Sequence, residues 1–270
     1  MSNYELLQVK PVLFNITVPF VAGVVSILPA FAAIFAVGWS VLFNFEASTR
    51  SQCQLQGDNT SPYNFLPSVS AAIGDFAPQK YVWRICMALV SGPRFIIAVL
   101  YYGYHTSINT GRYYEIYKTL AATCTLLFSI EICSLVGLSY VSSSDNFDIH
   151  KLCFCIFMFC VECYMVLTCY LMHKVRTSNG RKLTSIEKQS LDYKKKLCVV
   201  NIGTFILALY FYYSHTYYCG DRTYSYFAVC EYIVIFSNIG FHSTAMLDFK
   251  SMALVVPDPT THHQSQDYIL

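Results

Sequence analysis

The chain has 270 residues, 55% of them hydrophobic and only 13% charged, with a net charge of +2. Such a balance excludes intrinsic disorder and argues against an ordinary soluble domain. In chain order, six apolar runs of about 20 residues are long enough to cross a bilayer as helices. They are Val18–Asn44, Tyr81–Tyr104, Thr119–Ser142, Leu152–Leu171, Leu197–His215 and Tyr226–Met246. Pro29 and Pro93 are expected to kink or loosen the first two. The first run is too long for a signal peptide, whose apolar region holds about 7–15 residues, so it reads as a retained helix.

The reading is all-α, a polytopic membrane protein built as a six-transmembrane helix bundle with a structured lumenal loop. Residues 18–249 form the membrane domain, preceded by a cytosolic segment 1–17 and followed by a cytosolic tail 250–270 expected to be disordered. Orientation follows from the basic side chains. Lys174, Arg176, Arg181, Lys182, Lys188, Lys194, Lys195 and Lys196 crowd the loop 172–196. Loops 45–80, 143–151 and 216–225 hold only Arg50, Lys80, Lys151 and Arg222, so they face the lumen and both termini face the cytosol.

Most of the twelve cysteines lie within spans, where a thiol is a small apolar group. Cys53 and Cys219 are the lumenal loop cysteines and are expected to form a disulfide, with two thiols as the alternative. Cys160-Val-Glu-Cys163 has no matching second pair, so no metal is expected. Neither a cofactor nor a nucleic-acid partner is implied. Of the sequons at Asn15 and Asn59, only Asn59 is lumenal and a candidate for glycosylation.

Polar groups gather at the lumenal rim. Ser68 and Ser70 sit in an apolar, small-residue stretch that reads as interfacial or re-entrant. Tyr81, Trp83 and Arg84 mark a helix entry, where Tyr and Trp are interfacial anchors and Arg84 either snorkels or binds a lipid phosphate. Ser143, Asp145, Asp148 and His150 bring hydroxyl, carboxylate and imidazole together within one short loop. They are the ingredients of a general base and its orienter; the alternative is a helix cap, with Asp148 as the N-cap, followed by an exposed turn. His215, Tyr218 and Glu231 lie on or just below the same face.

Deeper, Arg94 lies about 20 Å along its helix from Tyr81, near mid-membrane. An ionisable group there costs on the order of 3 kcal/mol and needs a partner. Glu131 and Glu162 are at similar depth, and an Arg94–Glu131 ion pair is the least costly way to house both charges. His242 reads as a helix-packing group. No generic catalytic box is present.

Several segments together resemble one family. They are Leu66-Pro-Ser-Val-Ser-Ala-Ala-Ile-Gly74, Pro78-Gln-Lys-Tyr-Val-Trp-Arg84, Gly92-Pro-Arg-Phe95, Tyr140-Val-Ser-Ser-Ser-Asp145, Phe147-Asp-Ile-His150, Tyr218-Cys219, Glu231-Tyr232 and Phe241-His-Ser-Thr-Ala245 with Asp248-Phe249. This set resembles the post-GPI-attachment-to-proteins factor two family, within the wider Frag/DRAM/Sfk-like membrane proteins. The resemblance implies a multi-pass Golgi membrane protein of GPI-anchor remodelling. Its partners are GPI-anchored proteins, their lyso-GPI lipid and an acyl donor lipid, and its reaction is reacylation at sn-2 with a saturated, stearoyl chain. It carries no assigned catalytic residue. On the residues alone, His150 is the candidate base, oriented by Asp145 or Asp148, with Arg84 on the inositol phosphate. A subunit presenting lyso-GPI to another enzyme, and a lipid scramblase or channel along Arg94, Glu131 and Glu162, are the competing readings.

Overall fold

The structure is a computed structural model that describes residues 12–51, 53, 64–108 and 110–257. Asn59 and the tail beyond 257 lie outside the described residues. Six long helices, each long and apolar enough to cross a membrane, make up most of the chain. They are α1 (Val18–Phe43), α4 (Gln79–Thr106), α5 (Tyr114–Tyr140), α6 (Phe147–Arg176), α7 (Ser185–Tyr218) and α8 (Thr223–Ser243). Helices are the natural solution in lipid, because every backbone N–H and C=O is satisfied within the segment. Three short helices, α2 (Phe45–Thr49), α3 (Val69–Gly74) and α9 (Ala245–Asp248), fill the connections.

The six spans form a ring in chain order. Each packs against the next, and α8 returns to α1. This topology puts both chain ends on one side of the bundle. There β1 (Val12–Thr17) and β2 (Ala253–Pro257) pair antiparallel, with Thr17 opposite Ala253. Residues 253–257 were expected to be disordered; the ribbon orders them because the two ends emerge side by side. We call this the strand end and the opposite one the disulfide end.

The helices outrun the apolar stretches that mark them. Helix α7 starts at Ser185, twelve positions before its apolar run, on a capping box in which Thr184 Oγ1 and the Glu187 carboxylate each satisfy the other's backbone N–H. Lys188 and Lys194–Lys196 are therefore helical, and Lys194 is fully buried rather than a loop charge. Helix α6 likewise starts at Phe147, so His150 is in its first turn. Asn146, not Asp148, is the N-cap and accepts from Ile149 N–H at 3.0 Å. Helices α1 and α4 continue through Pro29 and Pro93.

The expected disulfide forms: Cys53 and Cys219 are bonded, with Cα atoms 5.7 Å apart. Cys219 ends α7 in the left-handed region (φ 47°). At the strand end, Lys194 Nζ reaches Asp248 Oδ2 at 2.5 Å, Ser190 Oγ at 2.9 Å and the Thr244 hydroxyl. Tyr101 donates to the same Asp248 oxygen at 2.7 Å, and Ser190 to the other at 2.6 Å. One buried ion pair thus ties α4, α7 and α9 together. Asn201, also fully buried, donates to Val234 O (2.9 Å) and Ser237 Oγ (2.8 Å), fastening α7 to α8.

Candidate functional site

The ring surrounds a cavity that is partly open to the outside. Helical periodicity decides which side chains line it. From α6 come His150, Phe154, Phe157, Met158 and Val161; from α8, Phe227, Glu231, Val234, Ile235, Asn238, Ile239 and His242. Trp83, Met87 and Arg94 of α4, Leu135, Leu138 and Ser139 of α5, and Ser70 of α3 complete the polar end and most of the wall. From Glu231 to His242 the helix rises about 16 Å, so the cavity is long and mostly apolar, with polar groups at its two extremities.

At the disulfide end the polar group that matters most is His150. Its ring is 8% exposed, and Nδ1 lies 2.7 Å from the Val141 carbonyl. A carbonyl only accepts, so Nδ1 carries the hydrogen and the lone pair of the neutral ring sits on Nε2. The α5–α6 turn makes this bond: α5 ends at Tyr140, the chain reverses over Val141–Asn146, and the first turn of α6 swings His150 back beneath it.

Opposite stands the segment 64–75, which folds into the bundle mouth. Ser68 caps α3, accepting from Ala71 N–H at 3.1 Å, and itself receives a hydrogen bond from Tyr224 (3.1 Å). The Glu231 carboxylate accepts from Val69 N–H at 2.9 Å and from the Ser70 hydroxyl at 3.4 Å. Ser225 Oγ takes Phe65 N–H at 2.8 Å, and the Tyr232 hydroxyl bonds the Pro67 carbonyl. The apolar Leu66–Gly74 stretch is thereby stitched to α8, whose side chains accept from the backbone N–H groups of Leu66, Ser68 and Val69.

At the inner extremity Arg94 Nη2 lies 2.6 Å from Glu131 Oε1, and His242 Nε2 reaches the same oxygen at 2.9 Å. Glu131 is fully buried. The His242 ring packs against Phe128 (4.6 Å) and Tyr164 (5.4 Å), which also touch each other (4.8 Å). One carboxylate compensates two cationic or donor groups from α4 and α8, the arrangement that makes charge tolerable at this depth. Glu162 takes no part: it lies on α6, and neither of its carboxylate oxygens has a hydrogen-bond partner among the described residues.

The structure separates the other rim candidates. Asp145 does not touch His150; it accepts from Ser142 Oγ (2.7 Å) and Ser142 N–H (3.2 Å), and Arg84 Nη2 is 3.6 Å away. These Ser142 hydrogen bonds, assisted by the Arg84 charge, hold the Asp145 carboxyl below the usual carboxylate range. Asp148 points outward and is exposed. The orienting carboxylate expected for His150 is thus replaced by a backbone carbonyl, because the turn places Val141 O closer than either side chain. Arg84 donates to Ser139 O and Tyr140 O, both at 3.2 Å, capping the end of α5. Its guanidinium is engaged by the protein beside the cavity. Tyr81 and Tyr218 are 55% and 72% exposed on the outer surface. His215 is half-buried against Tyr224, and Ser143 lies half-buried in the turn. Neither lines the cavity.

Sequence reasoning missed Ser139, and Trp83, expected as an interfacial anchor, is instead buried. Trp83 Nε1 donates to Ser139 Oγ at 3.0 Å, joining α4 to α5 at the cavity wall. The signal that finds such residues is the helical stripe they share with Arg94 and Leu135, visible once the inward face is known.

The family model described as the Frag1/DRAM/Sfk1/Cwh43P N-terminal domain matches residues 17–252, the whole bundle from the start of α1 to the edge of β2. The chain belongs to this family. Among family relatives, the Xenopus tropicalis protein named Acyltransferase PGAP2 is 40% identical over 240 residues, covering 89% of this chain and 90% of that one. The Drosophila pseudoobscura pseudoobscura protein named Post-GPI attachment to proteins factor 2 is 35% identical, covering 94% and 95%. Protein cwh43 of Schizosaccharomyces pombe is 25% identical over 77% of this chain but only 19% of its own length, so there the match occupies one part of a longer protein. No solved structure matches the chain.

Proposed function

We propose that this protein is an acyltransferase of GPI-anchor remodelling, working in the Golgi membrane with the disulfide end in the lumen and both termini cytosolic. The relatives' names, an acyltransferase and post-GPI attachment factors, point to the pathway. The observation that carries the chemistry is the placement of His150, which lines the long apolar cavity with Nδ1 fixed on a carbonyl, so that Nε2 is its basic nitrogen.

In this reading the cavity holds the acyl chain and lyso-GPI docks its glycerol at the mouth. His150 Nε2 takes the proton of the sn-2 hydroxyl as the oxygen attacks the acyl carbonyl of the donor ester. The tetrahedral intermediate collapses, the donor's glycerol oxygen leaves, and the imidazolium returns the proton to it. The products are a GPI carrying a new saturated chain and a lysophospholipid. Ser70 brings a hydroxyl to the facing wall, where it donates to Glu231. The oxidising lumen suits the Cys53–Cys219 bond.

One observation favours a second reading, a subunit that binds and presents lyso-GPI: His150 lacks a carboxylate partner, which in hydrolase-type triads stabilises the imidazolium. The two readings separate in one experiment. Purified full-length protein in nanodiscs is given lyso-GPI and a stearoyl phospholipid, and stearoyl-GPI is measured. Transfer by wild type that disappears in His150→Ala supports catalysis. Transfer unchanged by that substitution removes His150 from the mechanism, and none by folded wild type leaves presentation.

A further inference from the structure

A second, smaller cleft lies on the outer surface of the ring, between α1 and α8. Its lining is apolar throughout: Ala33, Ile34, Val37 and Gly38 on one side, Tyr232 and Phe236 on the other. Val69 and Ile235 belong to this cleft and to the internal cavity alike, so one layer of side chains separates the two. The α1–α8 seam is where the ring closes, and it packs on fewer small contacts than its neighbours α7–α8 or α1–α4. Small residues thin the wall here, since an added Cβ on Gly38 meets nothing within 4 Å. The cleft sits in the half of the bundle nearer the disulfide end, at the depth of hydrocarbon tails. Above it runs the roof of residues 65–70, fastened to Ser225, Glu231 and Tyr232 of α8.

We propose that the acyl chain of a bilayer phospholipid enters the cavity sideways through this cleft, past Val69 and Ile235, with α3 as the door. The roof over the cleft admits a flexible tail, whereas a lyso-GPI headgroup with its attached protein is excluded and must approach the mouth from above. A wholly apolar portal suits hydrocarbon and repels polar headgroups. The Glu231 hydrogen bonds to Val69 and Ser70 hold α3 closed, and their release frees the one side chain of α3 that stands in the passage. The inference rests on the acyl-chain role assigned to the cavity but concerns the route into it.

The test uses full-length protein in nanodiscs containing a phosphatidylcholine with a photoreactive diazirine on its acyl chain. After illumination, labelled peptides are read by mass spectrometry. Wild type is expected to carry label on the cleft and on Phe154 and Phe157 inside. Gly38→Trp, whose side chain fills the cleft, is expected to lower the internal label roughly tenfold, as blocking a gate lowers flux through it. Phe236→Trp, at the mouth of the cleft, serves as the second variant if the first melts early. Val199→Trp, on the outward face of α7 (72% exposed), is expected to leave the label unchanged. Internal labelling that persists in folded Gly38→Trp and Phe236→Trp overturns the route. A cavity labelled by photoreactive lyso-GPI but never by the phospholipid overturns the occupant. Because labelling needs no transfer, wild type that is labelled inside without transferring a chain loses the proposed function and keeps the route, so the two failures are told apart.

Discussion

At the disulfide end, His150, Ser70 and Glu231 border an open cavity; at the strand end, Lys194, Asp248, Ser190 and Tyr101 close directly on one another. Both sets are buried polar groups inside a membrane bundle, and both include ionisable side chains. The difference is in how the valences are spent. The strand-end groups use theirs on each other, as a fold that must bury charge requires. His150 uses Nδ1 on the backbone and borders the cavity, with Nε2 as its remaining nitrogen. Chemistry is to be sought where a buried group is half-satisfied and borders a cavity, and stability where it is wholly satisfied within packing.

This contrast can be broken experimentally. The largest effect is expected at His150: replacing it by Ala should cut acyl transfer by about 10²–10⁴-fold, the usual contribution of a general base, with the melting temperature kept. Lys194→Met should do the reverse. It leaves Asp248 buried without its cation and should cost roughly 3–5 kcal/mol of stability, read as a fall in detergent melting temperature. Adding Asp248→Leu to Lys194→Met should recover much of that loss; if the double variant is no better than the single, the ion pair is not what binds α7 to α9.

A somewhat smaller effect is expected from the disulfide. Cys53→Ser with Cys219→Ser opens a loop spanning 166 residues and should cost about 2–4 kcal/mol, seen as a lower melting temperature that reductant no longer changes. The smallest concerns Asp145, which is exposed. Its folded carboxyl ionises more readily than its unfolded one, so its contribution is complete above the unfolded value of about 3.9 and fades as pH falls through the lower folded value. Wild type should therefore lose slightly more stability than Asp145→Asn between pH 7 and pH 3, and equal losses would show that the Ser142 contacts do not matter. A large activity loss in Asp145→Asn would return that carboxylate to the catalytic centre.

Much of this was legible in advance. The six spans, the Cys53–Cys219 bond and the family followed from apolar run length, loop placement of two thiols and a set of short segments. Helix ends were less legible, because α7 begins on a capping box within a lysine-rich stretch that reads as a loop. The site was legible only in part. His150, Ser70 and Glu231 were named from residue type and depth, and they do border the cavity. Asp145, Asp148, Tyr81 and Tyr218 were named on the same grounds and do not.

The physical reason is directional. Apolar length sets how many helices cross and roughly where polar groups fall along the membrane normal, and a linear sequence contains that. Whether a side chain faces lipid, a neighbouring helix or an internal space depends on the rotation of each helix about its axis. That rotation is fixed by packing among all six, and by contacts such as Glu231 with Val69 and Asn201 with Val234 that join residues far apart in the chain. Depth was written in the order of residues; facing was decided only when the ring closed.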